Sequence, residues 1–142
     1  MSVLVDTGVF FAHHDRDAER HDAAVETFDN LLDGAYGQPY TCDYVLDETV
    51  TLTRVRTGSF EAADTVVSRI LGEEPFPDVF EMVHAGPAEV RGALEMFRTY
   101  DDHDLSFTDA MLVHLCEHRD IDAVLSFDDD FDGVVNRIEP GR

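Results

Sequence analysis

The sequence predicts an α/β fold, a three-layer α/β/α domain built around a short central parallel sheet. Short apolar runs at residues 2–5 and 123–127 do not alternate with polar residues, so they read as strands buried on both faces. Between them lie longer stretches with apolar side chains three and four apart, the period of a helix packed on one side. Strands alternating with helices join in parallel and need a layer of helices on each face.

The elements follow in order. Residues 2–5 form the first strand, and Gly8 suits a helix start or a turn. Residues 17–33 carry a stripe of Ala18, His21, Ala24, Val25, Phe28, Leu31 and Leu32, stopped by Gly34, a residue that ends helices easily. Residues 39–42 suit a short strand. From Tyr44 to about Arg56, Val45, Leu46, Thr49, Val50 and Thr53 mark one helical face closed by Gly58; Ser59 then caps a further helix with Ala62, Ala63, Val66, Val67, Ile70 and Leu71, closed by Gly72. After a loop over 73–77, residues 79–84 alternate as a strand. Gly86-Pro87 opens a helix whose buried face is Val90, Ala93, Leu94 and Phe97. The acidic loop 101–104 leads into a helix from Ser106 or Phe107 to about Arg119. A strand at 123–127 and an edge strand at 134–138 complete the series. Phe10, Phe11, Phe28 and Phe97 are expected in the core.

At 142 residues the chain fits one domain. Hydrophobic residues make up 44% and charged residues 29%, ordinary for a globular protein, and no apolar run approaches the ~18 residues of a membrane span. The first apolar run is too short for a signal peptide and is cut by Asp6, so a cytoplasmic location is expected. Cys42 and Cys116 are too few for a disulfide framework and read as buried thiols. The charge is unusual: 31 Asp and Glu stand against 10 basic residues, all arginine, giving −21. The carboxylates are spread through segments with periodic apolar residues, so this is a folded acidic surface. Adaptation to a salt-rich, halophilic cytoplasm would explain it, because salt screens self-repulsion. The absence of lysine excludes a P-loop.

Ligands in open parallel sheets gather beyond the carboxyl ends of the strands, where strand order reverses. Asp6 follows the first strand and Asp128 the run ending at Phe127. Glu48 lies early in the helix after Cys42, and Asp109 lies in the first turn of the helix opened by Ser106. All four belong at one edge, where they would repel each other unless a cation intervened. Oxygen-only ligands point to Mg²⁺ or Mn²⁺. One ion, or two about 4 Å apart, would clamp a phosphate and supply a hydroxide nucleophile.

The stretches VLVDTGVFFA, YVLDETVTL, LSFTDAMLVHLC and VLSFDDDFD resemble the four acidic motifs of PIN-domain nucleases, in the same order and at the usual spacing. The resemblance extends over nearly the whole chain and is greatest to VapC-type toxins of toxin-antitoxin pairs. It implies a single PIN-like domain over 1–142 and a metal-dependent endoribonuclease whose catalytic and metal-binding residues are Asp6, Glu48, Asp109 and Asp128. Thr7 and Ser106 would orient carboxylates or waters, and Asp130 would be an extra ligand. It also implies an RNA substrate, an antitoxin partner and a homodimer. Arg54, Arg56 and Tyr44 are candidates for RNA contact.

Each residue has a plainer reading. Asp6 could bond its own backbone in a strand-end turn, Glu48 could be a solvated helical residue, and Asp109 a favourable first-turn charge. The acidic run 128–132 could be a solvated loop. An aspartic protease also presents Asp-Thr-Gly, but in an all-β fold and as a pair sharing one proton; at least four helical stripes follow it here. His114 and His118 lack the HExxH context of a zinc site. His103-Asp104 is similar to the HD phosphohydrolase pair, which belongs to an all-helical fold. A catalytically idle scaffold that binds RNA or protein is the alternative to an enzyme, and packing like charges together argues against it. The charge itself is testable: half-unfolding in molar KCl is expected to need more urea than in dilute buffer, and equal midpoints would refute the salt adaptation.

Overall fold

The computed structural model describes residues 1–141. Five strands form one parallel sheet: β1 (Ser2–Val5), β2 (Gln38–Cys42), β3 (Glu81–Val83), β4 (Ala123–Leu125) and β5 (Arg137–Ile138). Six α-helices accompany them: α1 (Thr7–His14), α2 (His21–Leu32), α3 (Asp43–Thr57), α4 (Phe60–Leu71), α5 (Pro87–Thr99) and α6 (Phe107–His118). Successive strand side chains point to opposite faces. Val3, Leu4 and Val5 are nonetheless all fully buried, as are Val124 and Leu125, so helices cover both faces of the central strands.

The strand order is β3-β2-β1-β4-β5. The chain builds outward from β1 to β3, then crosses to the other side of β1 to add β4 and β5. Strand order therefore reverses between β1 and β4, and a crevice opens beyond their carboxyl ends. Register holds the two strands level there: Val5 pairs with Leu125, and the amide of Asp6 continues the ladder by donating to the Leu125 carbonyl at 3.1 Å.

Helix ends follow the expected capping chemistry. The Ser59 hydroxyl accepts from the Ala62 amide at 3.1 Å. Gly58 and Gly72 end α3 and α4 in the left-handed region, at φ 65° and 71°, where a β-carbon would be strained. Pro87 is the first residue of α5.

Several boundaries differ from expectation. Residues 17–20 form turns, and the stripe becomes helical only at His21. The strand expected over 79–84 shortens to Glu81–Val83, and that over 134–138 to Arg137–Ile138. Helix α1 carries no one-sided stripe, because Val9, Phe10 and Ala12 are all buried. Phe10 and Phe28 are core residues, whereas Phe11 is half-buried and Phe97 is 42% exposed. The Phe97 ring keeps a contact with Phe107, with centroids 5.9 Å apart.

Phe10 packs edge-on to Phe28 and Phe80, with centroids 5.8 and 5.0 Å away. Truncating so enclosed a ring leaves a cavity its neighbours cannot fill. Phe10→Ala is expected to lower stability by about 3–5 kcal/mol in urea unfolding, and Phe97→Ala by less than about 1 kcal/mol.

Candidate functional site

Four acidic side chains from distant parts of the chain line one cleft of about 420 Å³ at this crevice: Asp6, Glu48, Asp109 and Asp128. Asp6 is the N-cap of α1 and is 6% exposed. One carboxylate oxygen accepts from the Thr7 amide at 2.8 Å, the other from the Ser126 hydroxyl at 2.7 Å. That hydroxyl in turn accepts from the Asp128 amide at 2.9 Å, so a single oxygen just past β4 ties the first acidic segment to the last. Asp128 accepts from the Asp130 amide and starts the short 3-10 turn Asp129–Phe131.

Asp109 is fixed by a capping box. Its carboxylate accepts from the Ser106 amide at 2.9 Å while the Ser106 hydroxyl accepts from the Asp109 amide at 3.0 Å. Glu48 comes from α3, half-buried one residue before the fully buried Thr49.

The cleft charges oppose one another. Burial pushes Asp6 up to about 7, and the charges of Asp109 and Glu48 add to it; the bonds from Ser126 and Thr7 pull the other way. Burial likewise pushes Asp109 up to about 6, with Asp128 and Glu48 adding and Ser106 opposing. Both carboxyls thus titrate near neutrality because ionising either concentrates negative charge where water is scarce.

The donor set fits a hard cation: the cleft lining offers carboxylates and hydroxyls but neither cysteine nor histidine. Among the described residues, the three acidic groups whose oxygens all fall within 4.8 Å of one another are Asp128, Asp129 and Asp130. Asp6, Glu48 and Asp109 are not part of that cluster and share only the cleft lining with Asp128.

A sequence model of the PIN domain matches residues 3–136. The chain belongs to the PIN-domain family. It is 26% identical over 133 residues to a VapC ribonuclease of Archaeoglobus fulgidus, covering 92% of this chain and 80% of that one. Among solved structures it is similar to a sarcin-ricin loop cleaving VapC toxin of Mycobacterium tuberculosis, with a TM-score of 0.79, 26% identity and coverage of 97% and 99%. It shares its fold with VapBC of Rickettsia felis solved on a promoter DNA fragment, at a TM-score of 0.70, 9% identity and coverage of 97% and 98%.

In this PIN domain the two hydroxyl residues singled out in the sequence behave differently from each other. Thr7 reaches Asp6 through its amide, and its own buried hydroxyl has no protein partner. Ser106 orients the Asp109 carboxylate as expected, through the capping box in which its amide donates to that carboxylate and its hydroxyl accepts from the Asp109 amide. A further hydroxyl, that of Ser126, donates to the Asp6 carboxylate and has no local sequence signal beyond standing two residues before Asp128. Arg20, Asp104 and Phe127 also line the cleft. Arg54 and Arg56 do not; their guanidiniums lie over Phe60 and Phe11, and Tyr44 packs near Phe107.

The raised carboxyls fix a pH dependence. Their folded pKa values exceed the unfolded ones, so the native state binds more protons between about pH 4 and 7, and stability falls as pH rises through that window. Thermal melting of metal-free protein is expected to drop from pH 5.5 to 8. Asp6→Asn keeps a competent N-cap and is expected to flatten the drop, gaining on the order of 2 kcal/mol at pH 8.

Proposed function

We propose that this PIN domain is a Mg²⁺- or Mn²⁺-dependent endoribonuclease and the toxin of a toxin-antitoxin pair. The observation that carries the reading is the convergence of Asp6, Glu48, Asp109 and Asp128 on one cleft although they span residues 6 to 128. The ribonuclease named among its relatives supports the reaction class.

These four carboxylates would hold the ion, with Asp130 at the margin. When bound, a divalent ion in such a site polarises the phosphate and lowers the pKa of a water. The protein's part is placement. Ser126 and the Thr7 amide occupy one acceptor site on each oxygen of Asp6, leaving further lone pairs for a ligand. The capping box fixes the carboxylate of Asp109 in the same way. Rigid attachment matters because a misplaced ligand costs rate steeply.

The partners follow from the same reading. Structural neighbours include a toxin-antitoxin complex of Klebsiella pneumoniae, which supports an antitoxin partner; a segment of that partner would fill the acidic groove. A homodimer is in keeping with the exposed apolar side chains of Val55 and Phe60 on α3 and α4. Among the described residues no helix is long and apolar enough to cross a membrane. Cys42 and Cys116 are free and buried, their thiols pushed up to about 11 and about 12 by desolvation, which suits a reducing cytoplasm.

The test is cleavage of single-stranded RNA. Activity is expected with Mn²⁺ or Mg²⁺, loss with chelator, and a fall of at least about a hundredfold in Asp6→Asn and Asp109→Asn. Cleavage that survives both chelation and substitution would defeat the metal-site reading, and RNA binding without any cleavage would leave a scaffold.

A further inference from the structure

A cleft walled by carboxylates in a chain of net charge −21 repels the polyanion it is proposed to cut. Among the described residues lining it, one is a cation, Arg20. Its surroundings are unusual for an exposed arginine in so acidic a chain. Ion pairs within 4.0 Å among the described residues involve His84, His103, Arg119 and Arg137; Arg20 makes none, although Asp104 and Asp128 share its cleft. Its guanidinium lies instead over the ring of Phe127, 5.0 Å from the centroid.

Ring and cation come from opposite ends of the chain. Arg20 is the N-cap residue of α2 and makes no side-chain cap bond, so helix formation does not require its side chain. Phe127 is half-buried between Ser126, which bonds Asp6, and Asp128. An aromatic face attracts a guanidinium without occupying its N–H donors. Held this way, the planar fork stays open to a doubly bonded acceptor, the geometry in which arginine binds phosphate. A carboxylate in the place of Phe127 would neutralise the fork and close it.

We propose that Arg20, steadied by Phe127, is the phosphate-binding residue of this cleft and takes a backbone phosphate of single-stranded RNA beside the scissile one. The proposal rests on the nuclease reading above. It explains how an RNA strand enters against the field of the carboxylates: one cation in the cleft lining offsets part of the repulsion. Phe127 is a positioning residue acting through Arg20.

The experiment measures binding of a fluorescein-labelled single-stranded RNA dodecamer to the full chain carrying Asp6→Asn, at fixed Mg²⁺ and across a KCl series, with cleavage kinetics in the otherwise wild-type chain. A lost phosphate contact reduces the slope of log K against log salt by about 0.7 for a single strand. Arg20→Ala is expected to weaken binding by about tenfold and to lower the slope by that amount, with the loss of kcat/KM falling on KM. Arg20→Lys retains the charge and should keep the slope while binding more weakly, since an ammonium lacks the fork. Phe127→Leu should weaken binding less than Arg20→Ala. Arg91→Ala, outside the cleft lining, controls for net charge, and circular dichroism confirms folding. If Arg20→Ala matches Arg91→Ala in affinity and slope while the wild-type chain cleaves RNA, the assignment of Arg20 falls and the nuclease reading stands. If the wild-type chain neither binds nor cleaves RNA, both fall.

Discussion

Asp6 and Asp109 are carboxylates that the fold has taken out of water and set beside other carboxylates. Burying one such charge is unfavourable, and grouping several is more so. The sheet forces the arrangement: with β1 and β4 adjacent and parallel, whatever follows both strands meets at a single crevice. Hydrogen bonds from Ser126, Thr7 and Ser106 offset part of the strain, yet both carboxyls remain displaced toward neutrality. A doubly charged ion bound there would relieve what those bonds leave over. Under the proposed function, affinity for a cation and reluctance to ionise would have one cause.

The arginines show how an acidic protein holds the few cations it has. Arg20, Arg54, Arg56 and Arg69 each lie over an aromatic ring, between 5.0 and 6.0 Å from the centroid. Arg119 and Arg137 pair with carboxylates. Stacking on a ring suits a flat, weakly hydrated guanidinium better than an ammonium, which gives a physical reason why arginine fits this chain. It also leaves charge available at the surface where direct pairing would have cancelled it.

How much could be read beforehand depends on whether a feature is local. The apolar run of β1, the left-handed glycines 58 and 72, and the capping serines 59 and 106 are decided by a few neighbouring residues, and they stand where the sequence puts them. The gathering of Asp6, Glu48, Asp109 and Asp128 was legible because each follows a readable element and all are placed by one sheet edge. Helix α1 was not legible as a stripe, since it is enclosed on nearly every side and shows no polar face. Phe97 was assigned to the core by spacing alone, but the stretch of α5 around it is open to solvent. Ser126 and Arg20 owe their places to partners more than 100 residues away, Asp6 and Phe127, and nothing nearby in the sequence encodes such a distance.

The pairing of β1 with β4 also bears on when the cleft comes into being during synthesis. A nascent chain that has not yet emerged beyond residue 123 has β1 open on one side, Asp6 without its serine and Arg20 without its ring. Segments on both sides of residue 123 must be present before the cleft exists. A chain that stops short of residue 123 therefore lacks the assembled cleft, whatever has folded before it.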